Sequence, residues 1–180
     1  SCLFGRGMNF SSFSRSSGTD SLFGGEGNDV ISGNGGSDAI TGGAGNDTLS
    51  GGDGSDSYWF SLGSGIDRIN NNDANQTSLD SVYFELASIE ELWFTNVGND
   101  LVIQRIGSDD KLTISSWYSG AAHQIDSFHA STATLLNSKV NQLVDAMASF
   151  DPPLGVGSIL SQEIKDQIYP QITSTWQLGS

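Results

Sequence analysis

The chain has little of what usually staples or stiffens a fold. Its 180 residues include one cysteine, Cys2, and three prolines. A single thiol can form neither an intrachain disulfide nor a thiolate metal cluster. Basic residues are also scarce: 7 Lys plus Arg stand against 21 Asp plus Glu, a net charge of −14. A chain this acidic repels phosphate backbones and anionic lipid heads, which argues against nucleic acid and membrane surfaces as partners. No apolar run approaches the ~20 residues of a membrane span. The first residues, "SCLFGRGMNF", lack the basic-then-apolar pattern of a secretory signal peptide and match nothing downstream, so they read as a frayed end or a cloning junction. Apolar residues make up only 36% of the chain, too few to suggest an ordinary core throughout.

Several chemistries are missing as well. There is no GxxxxGK[ST], no complete GxGxxG and no GxSxG, so neither a nucleotide cradle nor a serine-nucleophile elbow is present. No stretch spaces acidic ligands as an EF-hand does. His123 and His129 share parity on a predicted strand, but no carboxylate or cysteine is spaced to complete a zinc site with them. Nothing here carries catalysis, and the expectation is a chain that is not an enzyme.

What is abundant is glycine, 23 residues of it, and its position is informative. Cut from residue 15, the chain falls into "RSSGTDSLF", "GGEGNDVIS", "GNGGSDAIT", "GGAGNDTLS" and "GGDGSDSYW". The fourth position is always Gly (Gly18, Gly27, Gly36, Gly45, Gly54). The sixth is always Asp (Asp20, Asp29, Asp38, Asp47, Asp56), and the eighth is large and apolar or aromatic (Leu22, Ile31, Ile40, Leu49, Tyr58). At background frequency the glycine column alone would arise about twice in a million registers. A flexible Gly/Ser linker gives no reason for fixed Asp and aliphatic columns.

One apolar residue in nine is too sparse for a helix face, but it suits a short strand with one side chain pointing inward. The six residues before it are turn formers. Two repeats then make one coil of two strands and two turns, and stacked coils make two parallel sheets around a thin core. Repeats i and i+2 share an edge at about the 4.8 Å strand spacing. Asp20, Asp38 and Asp56 are predicted along one edge, with Asp29 and Asp47 on the other. After a two-residue insertion "LGSGIDRIN" restores the columns and sets Asp67 beside Asp47. The weaker "NQTSLDSVY" would set Asp80 beside Asp56. Upstream, "RGMNFSSFS" keeps Phe13 in the apolar column but has Ser11 where Asp belongs.

Facing carboxylates and turn carbonyls suit a hard cation with six to eight oxygen ligands, which is Ca2+. Magnesium wants a tighter octahedron, and zinc wants thiol or imidazole. The candidate ligands are Asp20, Asp29, Asp38, Asp47, Asp56 and Asp67. Candidate turn donors are Gly18, Gly24, Glu26, Gly27, Gly33, Gly35, Gly36, Gly42, Ala44, Gly45, Gly51, Asp53 and Gly54. Pairing Asp20 with Asp38, Asp38 with Asp56, Asp29 with Asp47 and Asp47 with Asp67 gives about four sites.

From about Ile89 the texture changes. Strands are predicted at Leu92–Thr95, Leu101–Ile106 and Leu112–Ser115, with a fourth in "HQIDSFHA". A helix follows, with Val140, Leu143, Val144 and Met147 on one face, ended by Asp151-Pro152-Pro153. A last helical segment places Leu160, Ile164 and Ile168 on one face and is expected to break at Pro170. Three of the four tryptophans, Trp93, Trp117 and Trp176, lie in this half. The fold class is therefore mainly β, a parallel β-roll (a calcium-binding β-solenoid) followed by a small α+β C-terminal capping region. The expected division is 1–14 degenerate or disordered, 15–83 β-roll, 84–177 cap and 178–180 a tail left by cloning.

The repeats resemble those of RTX (repeats-in-toxin, hemolysin-type calcium-binding) exoproteins. The stretches "LWFTNVGNDLVI", "GSDDKLTISSWY" and "TSTWQ" resemble the C-terminal flanking region of that family. The resemblance implies a flank that caps the roll, nucleates its folding and lies within an uncleaved type I secretion signal. It also implies a bacterial extracellular location, the C-terminal part of a toxin or exoenzyme, the type I secretion apparatus as a partner and a monomer. A calcium-dependent adhesion module that holds a glycan or protein is the alternative, although the outward strand residues form no uniform ladder.

Overall fold

The computed structural model describes residues 2–4, 10–14, 17–73, 78–153 and 155–178. Arg15 and Ser16, which open the first repeat, and residues 75–77 of the weak copy lie outside them. So do 179 and 180.

Strands β1 (Cys2–Phe4), β2 (Phe10–Ser14), β3 (Ser21–Glu26), β4 (Asn28–Gly35), β5 (Ala39–Ala44), β6 (Thr48–Asp53), β7 (Ser57–Phe60), β8 (Ile66–Ile69) and β9 (Ser81–Phe84) wind a parallel β-roll. Odd-numbered strands build one sheet and even-numbered strands the other. The nine-residue period sets the register. Leu22 pairs with Ile40, Ile40 with Tyr58 and Tyr58 with Val82. On the other sheet Phe13 pairs with Ile31, Ile31 with Leu49 and Leu49 with Ile69. Leu22, Ile31, Ile40, Leu49, Tyr58, Ile69 and Val82 are all buried, while the flanking strand residues are not. Each contributes about 1.5–3 kcal/mol by leaving water, so the core is two stacked columns of side chains. Tyr58 fits such a column because its hydroxyl accepts the Gly51 N–H at 2.7 Å. Of the aromatic trio that ends the array, Tyr58 and Phe60 point inward. Trp59 lies on the outer face, stacked on Tyr83.

The parallel ladder does not stop at β9. Strands β10 (Leu92–Val97), β11 (Asp100–Arg105) and β12 (Lys111–Ile114) form an antiparallel meander, and β12 then runs parallel to β8, with Ile114 opposite Ile69. Strand β13 (Ser127–Ala130) runs parallel to β9, with Phe128 opposite Val82. Only after these do β14 (Ala133–Leu136) and β15 (Gln177–Leu178) turn antiparallel and finish the odd sheet. Leu178, at the start of the expected tail, pairs with Ala133. Helices α1 (Asn137–Met147) and α2 (Gln162–Thr175) pack on each other, and α1 also lies against β10 and β14. Phe94, Phe128 and Trp176 meet edge to face beneath them.

Two expectations need correction. The strand predicted over "HQIDSFHA" covers only Ser127–Ala130, because Ala121–His123 forms a 3-10 turn. Helix α2 runs through Pro170 to Thr175 instead of breaking there. Its buried face is Ile168, Ile172 and Thr175, followed by the buried Trp176; Leu160 precedes the helix and Ile164 is only half-buried. A mid-helix proline costs about 3 kcal/mol, and burying Ile172 and Trp176 beyond it offsets that.

Candidate metal centre

Each repeat ends its turn with an aspartate just before, or at the start of, the strand that points an apolar side chain inward. This places the carboxylates along the two edges of the roll. All six predicted ligands are buried, with exposures between 0% and 6%. On one edge Asp38 Oδ1 accepts the backbone N–H of Asp20 at 2.8 Å, and Asp56 Oδ1 accepts that of Asp38 at 2.9 Å. On the other, Asp47 Oδ1 accepts the N–H of Asp29 at 2.8 Å, and Asp67 Oδ1 that of Asp47 at 2.9 Å. Asp80 joins the first edge, accepting from Asp56 N–H at 2.9 Å. The sequence-predicted pairs are thus side by side in the structure.

In Asp38, Asp47 and Asp56 one oxygen is used in this way, and the other is left over. Oδ2 of Asp38, Asp47 and Asp56, and both oxygens of Asp29, are buried without a hydrogen-bond partner. An acceptor in that condition costs about 1–3 kcal/mol, more when charged, so these atoms call for a cation. The backbone supplies companions. A methyl placed on Gly33 would overlap both Asp38 Oδ2 and the Gly51 carbonyl, and one on Gly24 would overlap Asp29 Oδ2 and the Gly42 carbonyl. Gly24 and Gly33 therefore each keep open a gap onto which a carboxylate and the carbonyl of the next coil converge, and Gly42 and Gly51 leave room for the carboxylates of Asp47 and Asp56. Glycines of the fourth column do a different job. Gly36 (φ 115°) sits against Gly18, and Gly54 (φ 125°) against Gly36, so that turn backbones stack without a Cβ between them.

The remaining predicted turn donors are partly engaged. The carbonyls of Gly35, Ala44 and Asp53 accept the N–H of Gly18, Gly27 and Gly36, each at 2.8 Å, leaving one lone pair apiece. Gly45 N–H goes to the Ser64 carbonyl at 3.0 Å. The Glu26 side chain is exposed. Among the described residues no three His, Cys, Asp or Glu side chains converge on one point. A shell on these edges must mix carboxylates with carbonyls, as a large hard cation accepts and zinc does not.

The electrostatics agree. Burial pushes the carboxyls of Asp38, Asp47 and Asp80 above the ordinary range, and those of Asp56 and Asp67 up to about 7. The backbone hydrogen bond each accepts opposes the rise, and neighbouring carboxylates add to it. Two bare charges about 4.8 Å apart repel by about 3 kcal/mol at an effective dielectric near 20. A divalent ion between them reverses the sign.

Residues 16–49 and 32–69 match the model of the RTX calcium-binding nonapeptide repeat (4 copies). The chain carries an RTX calcium-binding repeat block. The RTX repeats bind Ca2+, the ion that the donor set fits. Residues 100–129 match the haemolysin-type calcium binding protein related domain. That stretch brings β11, β12 and most of β13 onto the end of the RTX roll.

The two edges end differently, which sequence reading missed. On the second edge Leu112 takes the aspartate column opposite Asp67, and Asp110 instead accepts Gly65 N–H at 2.9 Å and Gly63 N–H at 3.0 Å. On the first edge Asp126 Oδ2 accepts Asp80 N–H at 2.9 Å, continuing the ladder. The signal was present: Asp126-Ser127-Phe128 repeats the Asp-x-apolar spacing of every RTX repeat. The two histidines do not form a common site. His123 Nδ1 lies 2.7 Å from the Asn71 carbonyl, whereas His129 stacks on Tyr83 between the hydroxyls of Ser127 and Thr134.

Proposed function

We propose that the chain is a calcium-driven folding module at the C-terminal end of a bacterial protein exported by a type I system, such as a toxin or exoenzyme. The observation that carries this is the row of buried carboxylate oxygens left without a partner along both edges of the roll. Asp20, Asp29, Asp38, Asp47, Asp56 and Asp67, with turn carbonyls such as those of Gly42 and Gly51, are the residues to hold the ions. Bound calcium supplies positive charge and completes the oxygen shells. Without it the carboxylates repel and the glycines make ordering costly, so the repeats stay unfolded.

Extracellular calcium modules bind at about 10⁻⁴ to 10⁻³ M, far above the calcium of a cell interior. At tenfold excess over such a Kd each site adds about 1.4 kcal/mol, and four sites add about 6 kcal/mol, comparable to the whole stability of a domain. The same chain is then unfolded inside and folded outside, as a narrow export channel requires. The module acts as a monomer and carries no catalysis of its own. Far-UV circular dichroism tests the reading: disorder in chelator and β-structure in millimolar calcium are expected. A folded spectrum indifferent to chelator would overturn it.

One observation favours a second reading, a partner-binding surface. Trp59, Tyr83 and His129 stack at 4.3 and 4.4 Å on the outer face, beside a recess lined by Glu85 and Glu91. A glycan array probed with the calcium-loaded chain, and with Trp59→Ala, separates this role from folding alone.

A further inference from the structure

The aspartate ladder of the first edge runs out of the repeats and into the flank. Asp80 is the last carboxylate on the roll, and the next rung, Asp126, is 46 residues further along the chain. Beside that rung lies a recess of about 120 Å³ lined by Asn71, Asp73, Ser78, Asp80, Gln124 and Asp126. An enclosed site needs only about 10–15 Å³ to hold a water-sized particle, so there is room for an ion and water. No lysine or arginine lines it.

Asn71 gives the independent sign of a ligand. It is 2% exposed. Its Nδ2 donates to Asp80 Oδ2 at 2.8 Å and to the Gln124 carbonyl at 3.0 Å, which fixes the orientation of the amide. Its Oδ1 is buried with no hydrogen-bond partner. The segment around it is pinned to the flank, since Asp73 N–H donates to the Ala122 carbonyl at 3.0 Å. Ser78 donates to the Asp73 carboxylate. A rigid, neutral, hard oxygen is thus held among three carboxylates with no N–H turned toward it. Three acidic side chains do not converge on one point here, nor do they on the repeat edges. The amide oxygen and water therefore complete the shell.

We propose that this recess is a further calcium site, outside the nonapeptide repeats, which joins the roll to its flank. Asn71, Asp73 and Asp80 come from the roll side and Asp126 from the flank. The ion takes the Asn71 Oδ1 atom, carboxylate oxygens of the neighbouring Asp80 and Asp126, and water, with Asp73 lining the same recess. Asp73 and Asp80 are themselves buried, at 5% and 2% exposed, and share the repulsion that the ion relieves. The inference rests on calcium chemistry at the repeat edges, but it concerns different residues and a different result, the docking of the flank.

The test is an ion count on the full chain in millimolar calcium, by native mass spectrometry, for wild type, Asp126→Asn and Asn71→Leu. Asp126→Asn keeps an oxygen to accept the Asp80 N–H while removing the charge. Each variant is expected to bind one ion fewer than wild type and to keep the calcium-induced far-UV signal. The calcium midpoint of the near-UV signal from the flank tryptophans should rise about fivefold or more. An unchanged ion count in a folded variant overturns the proposal. Wild-type crystals grown in calcium answer the same question without a variant. An anomalous peak beside Asn71 Oδ1 supports the site, and ordered water alone overturns it. Failure of the folding reading looks different: the far-UV spectrum of wild type would ignore calcium, whatever the ion count.

Discussion

The repeats and the flank bury their polar and apolar atoms in opposite proportions. Between residues 20 and 58 the inward side chains are four aliphatics and a tyrosine spaced nine apart, and buried aspartates alternate with them along both edges. Between residues 92 and 176 the core holds Trp93, Phe94, Trp117, Phe128, Leu143, Met147 and Trp176, packed ring against ring and covered by two helices. The flank owes its order to area removed from water. The roll cannot, because what it removes from water includes charge. One sheet thus continues from a part whose edges bury carboxylates into a part that buries rings.

Changes that attack one region and spare the other break this comparison most sharply. The largest effect is expected from Gly33→Val, which would fill the gap that Asp38 Oδ2 and the Gly51 carbonyl share. No rotamer relieves a clash with backbone, so calcium-induced far-UV signal from the repeats should be lost even at high calcium. Next comes Phe128→Ala in the flank, where the removed ring is fully buried. A loss of about 3–5 kcal/mol in denaturant unfolding is expected, equal at all saturating calcium concentrations. If that loss instead disappeared at higher calcium, the two regions would not be distinct in what holds them.

Asp38→Ala against Asp20→Ala sharpens the picture within the roll. Asp38 lies between two coils of its edge, accepting from Asp20 and donating its own N–H to Asp56. Its loss touches two sites, so its calcium midpoint in a circular dichroism titration should rise further than that of Asp20→Ala. Equal shifts would count against ions shared between coils.

The smallest effect is that of pH without calcium. Asp56 and Asp67 are raised to about 7 in the fold, against about 3.9 in an unfolded chain. Between those values the fold holds more protons than the unfolded chain, so stability falls as pH rises through this window. In calcium-free buffer, far-UV signal should therefore grow as pH drops from 8 to 5. The calcium midpoint should rise over the same range, because protons and calcium compete for the same oxygens. A calcium-free chain that lost structure on acidification would contradict this.

The sequence made the roll legible because each column of the repeat is a contact with its own copy one coil away. Gly36 meets Gly18, Ile40 meets Leu22 and Asp38 meets Asp20, all at a separation of 18. Periodicity is the imprint of that self-contact. It also placed Asp67 and Asp80, whose separations from their partners stretch to 20 and 24. It failed at Asp110 and Asp126, where the partner lies 45 or 46 residues away across a meander. There the contact has no fixed spacing, and at Asp126 only the Asp-x-apolar triplet remains to be read. Pro170 misled for another reason: local propensity spoke against a helix that tertiary burial of Ile172 and Trp176 sustains.

The ladder of aspartates has a direction. Each rung is made by the carboxylate of a later coil reaching back to the amide of an earlier one, from Asp38 to Asp20 through Asp126 to Asp80. Releasing either end coil breaks a single rung, and what distinguishes the two ends is that the last coil is tied to the flank through Asp126. The stack therefore opens as a zipper does, from its amino-terminal end, and Asp126 in the flank is the stop at the other.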